Sequence, residues 1–527
     1  KTREREYAFV WLWFIMMCLP AALAILETPN FSRAIGALPA LYILPAIAVV
    51  EAYHYVEKRV NSTRLRATSA SVLFGVPLLF AAFSTYHSYF GAWANREDLR
   101  REFDVTLIEA ANAMNQMDAA GGVWVWPTTS LVAGQHIFSH PDFLYRGTAP
   151  YYFLSCDESS APHDLGRISQ GASKALVIEW KEYVPEKAYE AIAADPKGLL
   201  SFLLRKYGRE LNRSSYEAFD VIGYQLPYAP AFSIADSFEP LTVNFGDELV
   251  LVGMAFGGSS LHDTSTPEEV ERQELPSGKS GWVTLRWRAV GVPNRNYKVA
   301  VYLRDQKGHV AGQTDKLLLS NYLHPTREWQ AGQEEVDYYT LPSWNGTAPG
   351  QYEVGVTVYD AETLEALGVA AGGQTYQLGL MEIVRPLRTV EVEPQVLMDQ
   401  GGGHVAPGIR LLGYDLPPRE VNPGGELSLA LYWQALEDVN RDYLFALRLT
   451  DEQGEVWTGQ SDRPVYGTYP TVEWIAGEVL KDWHDLCVPV EMPQGSYQVS
   501  VLISEDDIGP RDIALLHCRS RHRDNQD

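Results

Sequence analysis

The sequence predicts a multidomain protein: three transmembrane α-helices, a small α/β domain, then two tandem all-β immunoglobulin-like sandwiches. Three observations carry this. The first ninety residues hold three long apolar runs. Residues 91–228 alternate helical and strand periodicity. From about residue 240 the strands are short, turn-bounded and rich in Tyr, Trp and Val, and a long segment repeats.

The membrane region is expected over 1–90, with spans at about 7–26, 34–50 and 67–90. Tyr7–Leu26 is twenty residues without a charge, the length that crosses a hydrocarbon core of about 30 Å. The second run carries Pro39 and Pro45, which predicts a kinked helix packed on neighbours. Lys1, Arg3 and Arg5 precede the first span, and Lys58, Arg59, Arg64 and Arg66 lie between the second and third. Basic loops stay in the cytoplasm, so residues after about 90 are expected outside a multi-pass cell-membrane protein. A rival reading takes the first run as a secretory signal ending near Ala22-Leu23-Ala24; it leaves the later residues outside as well. The chain opens on Lys, and we expect it to be the carboxy-terminal part of a longer product with further helices upstream.

Charge divides along the same line. The chain carries −24 overall, with 43 Lys and Arg against 67 Asp and Glu, while residues 1–90 are net basic. The acidic remainder repels phosphate backbones, so no nucleic-acid partner is expected. Four widely spaced cysteines form no CxxC pair, which argues against a zinc ribbon or a disulfide framework.

The α/β domain is assigned to 91–228. Helical spacing runs from Glu97 to Met117, GGVWVWPT (121–128) reads as a buried strand ended by its Pro, and ALVIEW (175–180) and FDVIGYQL (219–226) as further strands. Pro185–Tyr207 reads as a helix broken at Asp195-Pro196.

The sandwiches are assigned to 240–388 and 404–512. Residues 283–310 line up with 427–456, with the first matched pairs at an offset of 146. Trp287 matches Trp433, Tyr297 matches Tyr443, and Asp305…Gly308 matches Asp451…Gly454. Farther on, Pro325-Thr326-Arg327-Glu328-Trp329 matches Pro470-Thr471-Val472-Glu473-Trp474. Trp287 and Trp433 are expected in the cores, Asp-x-x-Gly at hairpin turns, and Tyr352 and Tyr497 at sandwich corners.

Candidates for chemistry are few. No nucleophile elbow, zincin helix, phosphate loop, dinucleotide fingerprint or EF-hand is present, so no catalytic, cofactor-binding or metal-binding residue is assigned. His136, His140 and Asp142 have spacing that a metal could use, but Gly134 and Pro141 interrupt the helix this needs. Cys156-Asp157-Glu158 sets a thiol beside acids, which suppress thiolate formation. His262-Asp263 and the acids at 268–271 read as a solvated loop. Trp329 and Trp474 are weak glycan-contact candidates; the alternative for both is a packed corner.

Two stretches carry a resemblance. FSRAIGALPALYILPAIAVVEAY (31–53) and SYFGAWANREDLRREFDVTLIEAANAMNQM (88–117) resemble the late membrane segments and the head junction of GT-C-type membrane glycosyltransferases of the protein-mannosyltransferase-like group, family 39. The tandem repeat is similar to carboxy-terminal modules on such proteins in Chloroflexi-like bacteria. The resemblance implies a polytopic enzyme that moves a sugar from a polyprenyl-phosphate donor to an acceptor outside the cytoplasm. It implies a bilayer, upstream helices and a glycan or cell-wall acceptor as partners. The family's catalytic acid belongs to an early external loop, and it maps onto no residue here; Glu27, in a late loop, does not take the role. The alternative is a membrane-anchored surface protein whose sandwiches bind glycan or protein without catalysis.

Overall fold

The structure is a computed structural model. It describes residues 2–22, 36–60, 62–94, 105–128, 140–181, 195–235, 237–258, 274–386, 389–398, 404–415, 420–505 and 508–520. The chain divides into two compact units, Lys1–Thr106 and Leu107–Asp527.

The first unit contains α1 (Thr2–Ala22), α2 (Leu38–Arg59) and α3 (Thr63–Tyr86), the last continuing as a π-helical stretch over His87–Trp93. Two helices, Leu38–Arg59 and Thr63–Trp93, are long and apolar enough to cross a membrane. The apolar part of α1 is shorter, Tyr7–Leu19, and 23–35 lie outside the described residues, so the expected 7–26 span is described only in part. The second helix runs farther than expected. Beyond Val50 it takes in Glu51, His54 and Glu57, and it ends on Lys58 and Arg59, which suit the negative end of a helix dipole. Pro45 lies inside α2 and Pro77 inside α3; helix periodicity continues through both. Few of these side chains are covered: no residue of the α3 apolar window is buried, and Leu79 is 72% exposed.

In the second unit, α4 (Val105–Ala113) leads to β1 (Gly122–Thr128). A short α5 (His140–Leu144) precedes β2 (Tyr151–Ser155), α6 (Ala161–Ile168) precedes β3 (Lys174–Trp180), and α7 (Leu199–Tyr207) precedes β4 (Arg209–Ser215) and β5 (Phe219–Gln225). The sheet order is β2-β1-β3-β5-β4, with β1 parallel to β2 and β3, and β5 antiparallel to β3 and β4. Every residue of β1 is buried, because layers cover both its faces. Val123 and Val125 pack with Leu165, Leu199 and Leu203 of α6 and α7, whereas Trp124 and Trp126 pack with Leu107 and Ala110 of α4. Pro127 does not end the strand as expected. It pairs with Leu154 inside a parallel ladder, and the strand closes on Thr128. Of the expected 97–117 helix, residues 105–113 are helical and 95–104 lie outside the described residues. The expected 185–207 helix is described from 195 and is helical over 199–207.

Among the described residues, the rest of the unit is strand apart from short 3-10 turns at Thr326–Glu328, Pro464–Gly467 and Thr471–Glu473. It comprises β6 (Glu239–Phe245), β7 (Leu249–Gly257), β8 (Glu274–Pro276), β9 (Ser280–Ala289), β10 (Tyr297–Arg304), β11 (Val310–Leu317), β12 (Glu334–Pro342), β13 (Gly350–Asp360) and β14 (Tyr376–Val384). These form two sheets, β11-β10-β13-β14-β8 and β12-β9-β7-β6. There follow β15 (Val396–Leu397), β16 (His404–Ala406), β17 (Ile409–Tyr414), β18 (Glu420–Val421), β19 (Glu426–Ala435), β20 (Leu444–Asp451), β21 (Val456–Asp462), β22 (Val479–Cys487), β23 (Gly495–Glu505) and β24 (Ile508–Ser520). Their sheets are β21-β20-β23-β24-β18 and β22-β19-β17-β15, with β16 on β17. The connectivity repeats down to one detail: β8 on β14 and β18 on β24 are both parallel edge pairs. Each sheet pair encloses one core, centred on Trp287 in the first and Trp433 in the second, both fully buried.

The repeated residues recur as repeated contacts. Gly308 and Gly454 take φ of 94° and 86° in the Asp-x-x-Gly turns, a region that favours glycine. The Tyr352 hydroxyl donates to the Ala348 carbonyl at 3.0 Å and that of Tyr497 to Pro493 at 2.9 Å, each reaching back four residues across a corner.

Candidate functional site

Trp329 and Trp474 are each 1% exposed, so neither ring can stack on a sugar, and the glycan-contact expectation gives way to the packed corner. Trp329 Nε1 donates to the His324 carbonyl at 3.0 Å and Trp474 Nε1 to that of Tyr469 at 3.3 Å. The neighbouring threonines explain why the element repeats. Thr326 Oγ1 donates to the Arg295 carbonyl and accepts the Tyr297 amide; Thr471 does the same for Arg441 and Tyr443. Each hydroxyl thereby satisfies two backbone groups beneath a buried indole.

His136 and residues 259–273, including His262 and Asp263, lie outside the described residues, and His140 opens α5. Asp142 accepts the Tyr151 hydroxyl. Among the described residues, no three His, Cys, Asp or Glu side chains gather as metal ligands.

Cys156 belongs to a cluster that the sequence did not reveal. It follows β2, and burial, with the Asp195 carboxylate next, pushes its thiol well above the usual range. A thiol so placed stays protonated and is a poor nucleophile. Asp195 itself caps α7: its two oxygens accept the amides of Leu199 and Leu200 at 2.8 and 2.9 Å. Lys316, on β11, donates to Asp337 Oδ1 at 2.8 Å, to the Tyr338 carbonyl at 2.6 Å and to the Lys197 carbonyl at 2.8 Å. Lys197 reaches Glu158 Oε1 at 2.5 Å and the Val336 carbonyl at 2.7 Å. The fully buried Asp337 also accepts the Tyr339 hydroxyl at 2.8 Å. Five charged side chains thus fasten the α/β sheet to the first sheet pair. Burial pulls the Lys316 ammonium down, opposed by Asp337. All its partners are protein groups already in place, an arrangement that holds two bodies in register.

A second cluster joins the two sheet pairs. His309 follows the first Asp-x-x-Gly turn. Its Nδ1 lies 3.1 Å from Asp305 Oδ2, and its Nε2 lies 2.9 Å from Asp485 Oδ1 on β22. The imidazole stacks on Trp483, at 4.7 Å and 5°, and lies parallel to Tyr466, at 5.9 Å and 6°, with the Tyr466 hydroxyl 3.1 Å from Nδ1. The Tyr466 hydroxyl donates to Asp485 Oδ2 at 2.9 Å, and Lys307 lies over the Tyr466 ring. Val465 and Tyr466 take φ of 54° and 53°, an unfavourable region for both and most of all for a β-branched residue. The turn is held by the Val465 amide donating to Asp482 Oδ1 at 2.8 Å. Burial lowers the His309 pKa, but the two carboxylates outweigh it and raise the group above its ordinary value. Alongside, the Lys481 ammonium sits 5.0–5.3 Å from the rings of Trp344, Tyr432 and Trp483, with Asp415 at 2.8 Å.

Neither cluster pairs a nucleophile with a base beside open space. One signal in the sequence could have located the first: Asp337 stands in an apolar-flanked strand, EEVDYYTLP, at an inward position. His309 has no comparable signal, since its partner Asp485 comes from the other repeat.

No protein-family model and no curated protein matches the chain. Among solved structures it is similar to the crystal structure of the C-terminal domain of wzt, at 6% identity, covering 28% of this chain and 82% of that one, with a TM-score of 0.20. A second, from work on glycolipid glycan hydrolysis by a family 123 glycoside hydrolase from Clostridium perfringens, shares 10% identity over 20% of this chain and 23% of that one, with a TM-score of 0.15. Likenesses this slight carry no argument about fold or activity.

Proposed function

We propose that the chain is the membrane-tethered outer head of a GT-C-type glycosyltransferase, with three spans, an α/β domain and two immunoglobulin-like sandwiches after them. In this reading the complete enzyme transfers a sugar from polyprenyl phosphate to an acceptor outside the cytoplasm. The residues present here anchor and position; the chemistry belongs to residues upstream. The observation that carries the anchoring is the exposed apolar surface of α2 and α3, each long enough to cross a bilayer, which lipid or other membrane helices would cover. The basic residues between them, Lys58, Arg59, Arg64 and Arg66, favour a cytoplasmic loop and an external head. The charged clusters support a positioning role, because they are spent on fastening one body to the next.

A second reading, an anchored binding protein with no enzyme, shares the anchor and the fastened head. Two measurements separate them. Protease added to intact cells should cleave near residues 389–393 and leave the basic stretch from Lys58 to Arg66 protected. Transfer of labelled sugar from polyprenyl phosphate should occur with the natural full-length product and be absent with this chain. Turnover by this chain alone would refute the positioning role, and no turnover by either leaves the anchored binder.

A further inference from the structure

One face of the α/β sheet carries an unbroken run of aromatic rings. It passes from Trp124 through Tyr145, Tyr151, Phe153, Trp126 and Trp180 to Phe219, with successive centroids 5.4–6.3 Å apart. At its outer end the rings meet open space. Cavities of about 400 and 570 Å³ adjoin there, sharing Tyr145, Gly147 and Ala149 as walls. Together they make a groove along residues 141–152, of the size that takes a short oligosaccharide.

The walls are chemically mixed. Tyr145 and Tyr151 supply ring surface, and Tyr152 continues the wall along the edge strand. Asn112, Asp142 and Arg146 supply exposed hydrogen-bonding groups. The groove is preformed: Asn115 donates to the Leu144 carbonyl at 3.0 Å and accepts the Arg146 amide at 2.8 Å, and Trp124 Nε1 donates to the Tyr145 hydroxyl at 3.2 Å. On the same face, Trp126 Nε1, Trp180 Nε1 and Thr128 Oγ1 are buried with no hydrogen-bond partner among the described residues.

We propose that this groove binds a neutral oligosaccharide. Sugar rings present apolar C–H faces that suit tyrosine rings and an edge of hydroxyls that suit amide, carboxylate and guanidinium groups. Charge favours a neutral ligand over a phosphorylated one. Asp118 and Asp142 stand on the groove against Arg146, and the nearby Lys174 ammonium is held by the Asp118 carboxylate at 2.9 Å and its carbonyl at 2.6 Å. The site rests on the head reading only for the source of the glycan, an acceptor outside the cytoplasm.

The test titrates the full chain in detergent with maltopentaose, mannopentaose and cellopentaose, following tryptophan fluorescence, with dextran sulfate as the anionic comparison. At least one neutral sugar should bind, and Asn112→Ala and Arg146→Ala should each weaken it about tenfold without lowering the melting temperature. The two exposed positions lie on different segments, so loss of fold in one variant leaves the other to decide. No binding by any neutral sugar, preference for the sulfated polymer, or full affinity in a folded variant would overturn the site. The assay needs neither topology nor transfer, so its failure leaves the head reading standing, and failure of that reading leaves the groove.

Discussion

At the scale of single residues, the informative groups are buried polar ones. Thr326 and Thr471 each serve two backbone groups under a tryptophan. Thr471→Val keeps the shape and removes the hydroxyl's bonds to the Tyr443 amide and the Arg441 carbonyl, so we expect a loss of about 1–3 kcal/mol in denaturant unfolding. Thr471→Ser, which keeps the hydroxyl, should recover most of it. Lys316 is the harsher case. Lys316→Met leaves Asp337, fully buried, with the Tyr339 hydroxyl but no cation. The expected cost is about 3–5 kcal/mol. Adding Asp337→Leu should restore part of the loss, because the pair's burial is itself unfavourable; a double-mutant cycle measures the coupling.

At the scale of elements, α3 carries the clearest consequence. Leu78, Leu79, Phe80 and Phe83 project from one uninterrupted helix with little cover from the described residues. Leu79→Arg near the centre of that window should cost about 2.5–3.5 kcal/mol of insertion free energy. A glycosylation-reporter insertion assay would read this as a fall in the spanning fraction, and unchanged insertion would count against a bilayer-facing α3. The sheet elements behave differently: β1 is silent on function yet organises the aromatic face, since its alternation sends Trp124 and Trp126 to one side and Val123 and Val125 to the other.

At the scale of the whole molecule, the joints decide whether the second unit moves as one body. The His309 joint depends on pH. Its imidazole faces Asp305 from its own turn, Asp485 and Trp483 from β22, and Tyr466 with Lys307 from the adjoining turns. The folded-state pKa is raised, so the imidazolium's contribution is complete below about pH 6.5 and is lost as pH rises through the raised value. Asp485 is held below the usual carboxylate range: burial opposes this, and Ser428, His309 and Tyr466 outweigh it. Its contribution is therefore present above the ordinary carboxylate range and lost as pH falls through the depressed value. The melting temperature should decline on the alkaline side, and His309→Gln should flatten that decline. Equal pH slopes in the two proteins would remove His309 from the joint.

Much of the architecture was legible in the residues. The apolar runs of α2 and α3 announce themselves by length. The Asp-x-x-Gly turns, the corner tyrosines and the core tryptophans recur at one spacing, and each repeated residue has a repeated local job. Local periodicity suffices there, because the partners lie within a strand or a turn. The paired glycan candidates failed for the same reason: Trp329 and Trp474 look alike in sequence, but only folding shows that both are covered. What tertiary structure alone decided is which distant groups meet. Lys197, Lys316 and Asp337 come from separate elements, His309 and Asp485 from separate repeats, and the groove from α4 and the 141–152 segment. Charge pairing and aromatic contact act over a few ångströms with no regard for chain distance, so no spacing rule could have foretold them.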